Sequence, residues 1–348
     1  MYLIATIGPR SCDNKTIDKI IKGGANTIRI NLSHGIYEEI DKVIGYIRKN
    51  YHDINLLMDL QGHKIRVSDE LKEPFYAKKK SVIYFCSEDS YSELCTNNLK
   101  NKNLIPLNIS TERLKSADFK YIYMKDGTMK FNVINSDKNY IKTIVNQEGM
   151  VRAEKGCNLP GISRDDLDIT EKDKRDIQFA LDEKVDILCY SYCSSLEDCN
   201  KFKEQVFKTL RRGDKIPKLF AKIETKEAVI NIKDIADNLD GVVIARGDLV
   251  PESTLYAIPI IQDKIVYNLK ERNKDIIIAT HVFDSMKKDL YPTVNELSDI
   301  YNMVKKNVSG FMLTSETTVG NNHFEVVRTL KMTLDYYKKV NNKIKKNN

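Results

Sequence analysis

The sequence of 348 residues lacks any apolar run near the roughly 20 residues that a helix needs to cross a bilayer. It begins directly with a strand-like segment, residues 2–7, so it predicts neither a membrane partner nor a signal peptide. The seven cysteines show no paired spacing, which favours reduced thiols and a cytoplasmic location. The net charge of +7 is spread along the chain rather than blocked, which predicts no nucleic-acid partner.

Eight short β-branched runs give the sequence its strongest regularity. Each run except the third is followed closely by an amphipathic stretch of helical period, such as residues 15–22 or 196–209. The runs are residues 2–7, 26–30, 54–59, 186–191, 218–222, 241–245, 275–280 and 309–313. Alternation of strands and helices predicts an α/β fold with a parallel sheet, and eight strands are the number that closes a (β/α)₈ TIM barrel. An open, doubly wound sheet is the alternative.

The third unit is interrupted between about residues 68 and 152, where the period changes to alternating residues. Residues 81–85 and 121–124 alternate as strands do, and Asp126-Gly127 supplies a turn. The sequence therefore predicts a barrel domain of residues 1–67 and 153–348. A β-rich lid domain of residues 68–152 is inserted after strand 3. Such an insertion is expected to lie over the mouth of the barrel.

Charged side chains follow the predicted strands, at the ends where TIM barrels carry their functional groups. Glu224 and Asp248 follow adjacent strands, so their carboxylates can share a hard cation such as Mg²⁺. Lys222 and Arg29 face the same axis and add positive charge for a phosphate or a carboxylate. A divalent cation and two basic side chains are the components of electrostatic phosphoryl transfer.

The turn after the sixth strand is a candidate anion site. Gly247 and Asp248 precede a helix that is expected to begin near Pro251, so their backbone N–H groups can face an anion. The remaining strand ends also carry polar groups, namely Asp59, Ser191, Thr280 and Thr314. A charged or hydroxyl residue at nearly every strand end predicts a functional site rather than a chance scatter of polar residues.

The motifs around these strand ends resemble those of the pyruvate kinase family, in family order from residue 3 to about residue 335. They include Thr6-Ile7-Gly8-Pro9, Arg29 to Gly35, Lys155 to Gly161, Thr170-Glu171-Lys172-Asp173, Ala221 to Glu224, Ala245 to Leu249 and Ala279-Thr280. The resemblance implies a TIM barrel with a lid after the third strand. It also implies Mg²⁺-dependent (or Mn²⁺-dependent) transfer of a phosphoryl group between phosphoenolpyruvate and ADP, giving pyruvate and ATP.

Carried over position by position, the resemblance implies a role for each matching residue on the substrate side. The phosphoryl group is held by Arg29 and Lys222, with Arg66 nearby, and Mg²⁺ is bound by Glu224 and Asp248. The substrate carboxylate is received by the backbone at Gly247 and Asp248 and by the Thr280 hydroxyl, with Ser191 also on this side. Thr280 and Thr314 belong to the network that delivers a proton to the enolate.

The resemblance also implies nucleotide and monovalent-cation contacts. The residues that match nucleotide contacts are Pro9, His34, Lys155 and Asp126. The residues that match potassium ligands are Asn31, Ser33 and Asp59. Lys64, followed by Val67, resembles the potassium-independent branch, in which a lysine ammonium stands in for the monovalent cation. Potassium is therefore not expected to be required, although Gln61 and His63 match neither branch.

The end of the sequence coincides with the last predicted barrel helix. The resemblance therefore predicts a short form without the family's C-terminal regulatory domain, and a monomer or homodimer. Three alternatives stay open: a divergent paralogue that acts on another phospho-enol or hydroxy acid, a catalytically silent regulatory or binding protein, and a Mg²⁺-dependent lyase or aldolase. A silent protein should have lost Lys222, Glu224 or Asp248, and the retained Lys155 and Asp126 argue against a lyase.

Overall fold

A computed structural model describes residues 1–347 of the chain apart from residues 34, 97–98, 100–102, 117–119, 126, 138, 163 and 165–166. The strands formed by these residues are β1 Tyr2–Ile7, β2 Thr27–Asn31, β3 Asn55–Asp59, β4 Phe75–Ala77, β5 Val82–Ser87, β6 Leu104–Leu107, β7 Tyr121–Met124, β8 Met129–Ser136, β9 Ile141–Gln147, β10 Gly149–Val151, β11 Cys157–Asn158, β12 Ile187–Tyr190, β13 Lys218–Ile223, β14 Gly241–Ala245, β15 Asp275–Ala279 and β16 Gly310–Leu313.

The α-helices of the described residues alternate with the strands over most of the chain. They are α1 Asn14–Lys22, α2 Tyr37–Asn50, α3 Glu88–Thr96, α4 Thr111–Ser116, α5 Glu171–Asp182, α6 Leu196–Thr209, α7 Lys226–Ile230, α8 Ile232–Asn238, α9 Arg246–Glu252, α10 Ile258–Leu269, α11 Val294–Lys305, α12 Ser315–Thr318 and α13 His323–Asn347. Short 3₁₀ helices span Leu255–Ala257 and Asp284–Lys287. Within the described residues, none of the helices combines the length and the apolar character that a bilayer crossing needs.

Eight of the strands close into a parallel barrel in the order β1-β16-β15-β14-β13-β12-β3-β2. The predicted TIM barrel is therefore confirmed, and the alternative of an open doubly wound sheet is wrong. Each predicted run coincides with a barrel strand to within about a residue; the run at 26–30, for example, is β2. Parallel barrel strands are buried on both faces, so they appear in the sequence as nearly continuous apolar runs.

The barrel interior is filled by apolar side chains from alternating strand positions. Phe220 of β13 is fully buried and is part of a cluster with Leu57, Val243, Ile277 and Met312 from four other strands. Gly241 packs directly against the Phe220 ring. A Cβ atom at position 241 would lie 2.8 Å from that ring and 2.8 Å from the Asp275 carbonyl oxygen, so the position has no room for a side chain. The interior is therefore a packed core, and functional groups are left to the strand ends.

Local signals set where the outer helices start. The Ser195 side chain accepts the backbone N–H of Asp198, and Asp198 returns the contact, so a capping box starts α6. Thr293 and Glu296 form the same box at α11. Thr170 caps α5 by accepting the Asp173 N–H. These caps fix the residue at which each of the three helices begins.

The chain divides into two units, each with its own core. The first comprises residues 1–62, 168–246 and 259–348 and contains the barrel. The second comprises residues 63–167 and 247–258; its strands form a six-stranded sheet in the order β11-β7-β8-β9-β5-β6 and a two-stranded sheet of β10 and β4. Phe85 and Phe131, packed edge to face at 5.1 Å, are buried in its core. The β-rich character predicted for this region is confirmed, and the boundaries predicted at residues 68 and 152 stay a prediction.

Candidate active site

The carboxyl ends of four neighbouring barrel strands bring the first group of predicted residues together. In the sheet order β2-β3-β12-β13, Arg29 lies in β2, Asp59 ends β3, Ser191 follows β12, and Lys222 lies near the end of β13. Because parallel strands carry their C-termini at one rim, residues separated by up to 193 positions in sequence meet there (222 minus 29). This cluster of charged side chains belongs entirely to the first unit.

Asp59 holds Arg29 in place. Nε of Arg29 donates to Oδ2 of Asp59 at 2.9 Å, and Nη2 donates to the same oxygen. Nη1 of Arg29 donates to the Thr6 hydroxyl at 3.0 Å. Asp59 is only 1% exposed. Burial favours the neutral acid, but the charges of Lys222 and Arg29 outweigh burial and hold the pKa of Asp59 below its usual value.

Lys222 lies among three oxygen-bearing side chains. Its Nζ is 2.9 Å from Oε1 of Glu224, donates to Oγ of Ser191 at 3.1 Å, and is 3.4 Å from Oδ2 of Asp59. The Lys222 side chain is 13% exposed, so the ammonium has little water around it. Ser191 also donates to Oδ1 of Asp59 at 3.1 Å, which links the cluster into one network. Charges held in such a partly desolvated network interact more strongly than they would in water.

Glu224 meets the requirements of a carboxylate ligand for Mg²⁺. It is fully buried, and its Oε2 accepts the backbone N–H of Tyr192 at 2.8 Å, which fixes the orientation of the carboxylate. Among the described residues no group of three or more His, Cys, Asp or Glu side chains could hold a metal ion. Mg²⁺ usually takes one or two protein carboxylates and keeps several waters, so a single oriented carboxylate fits it. Glu224 can therefore hold the cation that the sequence predicts.

The two predicted threonines follow β15 and β16. Thr280 has a φ of +64°, and its hydroxyl donates to the carbonyl oxygen of Ala279 at 2.6 Å. The N–H of Thr314 donates to Oε2 of Glu316 at 2.8 Å, and the Thr314 hydroxyl donates to the same oxygen at 3.3 Å. Glu316 is fully buried. The positions of both threonines are therefore fixed by hydrogen bonds at the ends of their strands.

The predicted monovalent-cation ligands in the first unit already have protein partners. Oδ1 of Asn31 accepts the backbone N–H of Ser33 at 3.1 Å. Both carboxylate oxygens of Asp59 accept hydrogen bonds, as described above. The roles of Asn31, Ser33 and Asp59 as potassium ligands stay predictions.

The second unit contains the other predicted charged residues. Nζ of Lys64 donates to Oδ1 of Asp248 at 3.1 Å, and the two side chains are 21% and 12% exposed. Arg66 is buried; its Nη1 donates to the carbonyl oxygen of Glu154 at 2.9 Å. Lys155 donates to the Met150 carbonyl oxygen, and burial, together with neighbouring positive charges, lowers its pKa.

Of the three remaining predicted nucleotide contacts, the structure describes Pro9. Pro9 lies in the turn after β1, where its carbonyl oxygen is 3.9 Å from the Cys12 Sγ. His34 and Asp126 lie outside the described residues.

The helix that was expected near Pro251 begins earlier. Helix α9 starts at Arg246, so Gly247 and Asp248 belong to its first turn and Pro251 lies inside it. The predicted start at Pro251 is wrong: Pro251 is the sixth residue of α9 and lies one residue before its end, so the proline marks where this short helix stops rather than where it starts. The predicted role of Gly247 and Asp248 in binding the substrate carboxylate stays a prediction.

Two contributors to the site were missed by the sequence analysis. The N–H of Tyr192 orients Glu224, and backbone groups leave no signal in residue identity. Arg246 was part of a recognised motif but was given no role, although its guanidinium binds the backbone at Thr280. The sequence signal that could have identified Arg246 is its positive charge directly after strand β14.

Comparison with known proteins finds relatives that match over nearly the whole chain. The family model described as pyruvate kinase, barrel domain, matches residues 1–327. The chain is 31% identical over 334 residues to a pyruvate kinase of Thermotoga maritima, covering 94% of this chain and 69% of that protein. It is 30% identical over 342 residues to one of Staphylococcus epidermidis, covering 94% of this chain and 55% of that protein. For one of Kluyveromyces lactis the identity is 30% over 344 residues, covering 95% and 66%.

The closed (β/α)₈ barrel, together with the match to the pyruvate kinase barrel family over residues 1–327, identifies an enzyme of the phosphotransferase class. The chain belongs to the pyruvate kinase family. The predicted family and the predicted kinase class are therefore confirmed.

Proposed function

We propose that this chain transfers the phosphoryl group of phosphoenolpyruvate to ADP, giving pyruvate and ATP. The observation that carries the proposal is the position of Lys222, whose ammonium lies 2.9 Å from Glu224 and 3.4 Å from Asp59, beside the guanidinium of Arg29. Two oriented, partly desolvated cations at the strand ends of a barrel match the charge that a transferring phosphoryl group carries.

The chemistry requires one bond to break and one to form. The bond between phosphorus and the enol oxygen breaks, and a terminal oxygen of ADP forms a new bond to phosphorus. The electron pair that remains on the enol oxygen gives an enolate, which takes a proton at its methylene carbon to become pyruvate. Lys222 and Arg29 would stabilise the negative charge while it is redistributed among the phosphoryl and enolate oxygens. Preorganised charges of this kind need no reorganisation when the reaction occurs.

Each acidic residue of the cluster has a separate role in the proposal. Asp59 keeps the Arg29 guanidinium fixed, because Nε and Nη2 of Arg29 both donate to Oδ2 of Asp59. Glu224 would hold Mg²⁺, or Mn²⁺ in its place, and Asp248 is the second carboxylate that the sequence predicts. When bound, the divalent cation supplies positive charge to the phosphoryl oxygens.

The hydroxyl groups of Thr280 and Thr314 would relay the proton to the enolate. Each lies at the end of a barrel strand, and Thr314 contacts the buried carboxylate of Glu316. A hydroxyl group both donates and accepts a hydrogen bond, so it can pass a proton from water without carrying a charge itself. Nucleotide contacts at Pro9, His34, Lys155 and Asp126 are part of the same proposal.

The experiment that tests the proposal is ATP formation from ADP and Mg²⁺ with a panel of phospho-acids. Phosphoenolpyruvate should give the highest kcat/KM. If another phospho-enol or a phosphorylated hydroxy acid is preferred, the substrate assignment is wrong and the divergent-paralogue alternative is supported. If no member of the panel yields ATP with folded protein, the proposed activity is wrong and a silent regulatory role gains support.

A further inference from the structure

Two consecutive residues at the end of β15 adopt an unusual backbone conformation. Thr280 has a φ of +64° and His281 a φ of +53°, both in the left-handed region that non-glycine residues seldom adopt. The conformation is least favourable for a β-branched residue such as threonine. Backbone strain of this kind persists only where the surrounding contacts impose it, and it concentrates at functional sites.

Arg246 makes the contacts that impose this conformation. Its Nε and Nη2 both donate to the carbonyl oxygen of Thr280, at 3.0 Å and 2.7 Å. Nη2 also donates to the carbonyl oxygen of His281 at 2.8 Å. Three of the hydrogen bonds from one guanidinium therefore hold two consecutive carbonyl groups, and the direction of those carbonyls fixes the backbone of both strained residues.

The guanidinium of Arg246 is itself anchored from the outer helices. Nη1 contacts Oδ2 of Asp299 in α11 at 2.5 Å and donates to Oε1 of Gln262 in α10 at 3.3 Å. The Arg246 side chain is 7% exposed, so water cannot easily replace these bonds. The planar fork of arginine suits this task, because a lysine ammonium cannot reach two adjacent carbonyls and a carboxylate in one plane.

We propose that Arg246 is a positioning residue that sets the direction of the Thr280 hydroxyl for catalysis. The inference rests on the proposed function, in which Thr280 contacts the substrate and relays the proton. Without the fork, the backbone at Thr280 relaxes toward the right-handed region, and the hydroxyl moves with it. Displacements of about 1 Å at a reacting group can cost about 10²-fold in rate.

The test begins with wild-type protein, which must form ATP from phosphoenolpyruvate for the remaining measurements to have meaning. An inactive wild type would refute the proposed function itself, separately from the role of Arg246. In active enzyme, Arg246→Lys keeps the positive charge and loses the fork. We expect its kcat to fall by about 10²-fold, with a much smaller change in the KM for phosphoenolpyruvate.

A double-mutant cycle separates positioning from a structural role. In the Thr280→Ala background there is no hydroxyl left to position. Adding Arg246→Lys to Thr280→Ala should therefore lower kcat by less than about threefold, compared with about 10²-fold in the wild-type background, and this difference is the non-additivity that the proposal requires. The solvent deuterium isotope effect on kcat should rise in Arg246→Lys, because proton delivery becomes slower. Additive losses with an unchanged isotope effect would overturn the proposal.

Two further variants keep the test informative if Arg246→Lys folds poorly. Asp299→Asn removes the charged anchor of the guanidinium and should reproduce the loss of kcat in weaker form. Arg272→Met is the matched control, because its guanidinium pairs with Asp237 and donates to the Asn268 carbonyl oxygen rather than to the backbone at Thr280. We expect unchanged kinetics in Arg272→Met, and unchanged kinetics in Asp299→Asn would also count against the proposal.

Discussion

The Arg29 guanidinium and the Asp59 carboxylate form a buried pair at the strand ends of the barrel, with Nε of Arg29 donating to Oδ2 of Asp59 at 2.9 Å. The same oxygen of Asp59 lies 3.4 Å from the ammonium of Lys222. One carboxylate therefore contacts both of the cations that we assign to the phosphoryl group. Fixing both cations before substrate arrives is what makes them effective in a transition state.

Replacing Asp59 by asparagine should reduce stability as well as activity. Asp59→Asn leaves Arg29 and Lys222 buried without this counter-charge, which typically costs about 3–5 kcal/mol. The free energy of unfolding, measured by urea titration, should fall by this amount. Asp182→Asn is the control: its ion pair with Arg211 is exposed, so the change should stay below about 1 kcal/mol. Equal effects in both variants would contradict the account.

The depressed pKa of Asp59 also predicts a pH dependence. Lys222 and Arg29 hold the pKa of folded Asp59 below its usual value despite burial, whereas an unfolded aspartate titrates near 3.9, about the model-peptide value. The ionised carboxylate therefore contributes stability above about pH 3.9, and this contribution is lost as pH falls through the folded pKa. In urea titrations between about pH 6 and pH 3, Asp59→Asn should show a shallower acid decline than wild type. Parallel curves would show that Asp59 is not the linked group.

Lys222→Met should lower kcat more than it weakens substrate binding. The ammonium acts mainly as charge shifts during transfer, and loss of such a preorganised donor costs about 3–4 kcal/mol, or roughly 10²–10³ in rate. Steady-state ATP formation measures the effect. Lys218→Met is the matched control. Lys218 lies at the first residue of β13, the end of the strand opposite to Lys222, where it contacts Tyr2 and Asp275. Turnover of Lys222→Met within about threefold of wild type would remove its assigned role.

Glu224→Gln should raise the concentration of Mg²⁺ needed for half-maximal activity. The amide keeps an oxygen but loses the charge that a hard cation prefers, and we expect an increase of about tenfold or more. Direct titration with Mn²⁺, followed by electron paramagnetic resonance, supplies a readout that does not depend on turnover. Glu197→Gln, at an exposed pair with Lys201, should leave both titrations unchanged. Unchanged metal binding in Glu224→Gln would refute the site.

Potassium should not be required for activity. Oδ1 of Asn31 and both oxygens of Asp59 already accept hydrogen bonds from protein donors. The sequence predicts that Lys64 supplies a tethered ammonium in place of the monovalent cation. A tethered charge is preorganised without salt, so turnover should change by less than about twofold when sodium or tetramethylammonium replaces potassium. Lys64→Glu should introduce a dependence on potassium. Wild-type enzyme that is inactive without potassium would end this hypothesis.

The barrel could be predicted from the sequence because its strands are buried on both faces. The run at 218–222, for example, places three consecutive apolar residues before Lys222, and it is β13 in the structure. Helices α3 and α4 were not predicted, since Glu88–Thr96 and Thr111–Ser116 lie in a region where alternating residues dominated the pattern. The start of α9 was misplaced because Pro251 gave a stronger local signal than Arg246.

The strand-end residues Lys222 and Glu224 were predictable because a charge that ends an apolar strand stands out in the sequence. Their partners were harder to predict, since contacts such as that from the Tyr192 N–H to Glu224 depend on backbone groups in the turn after the neighbouring strand β12. Arg246 binds carbonyl groups 34 and 35 residues away, and residue identity at Thr280 and His281 does not reveal a carbonyl direction. The charges of the site could be predicted from the sequence, whereas their orientation required the fold.

Phosphoryl transfer from phosphoenolpyruvate to ADP can be observed directly by phosphorus NMR of the folded enzyme with both substrates and Mg²⁺. We expect the phosphoenolpyruvate signal to decrease while the γ-phosphoryl signal of ATP grows in equal amount, with wild-type protein and not with Lys222→Met. A phosphoenolpyruvate signal that stays constant, or phosphate released into solution in place of ATP, would contradict it.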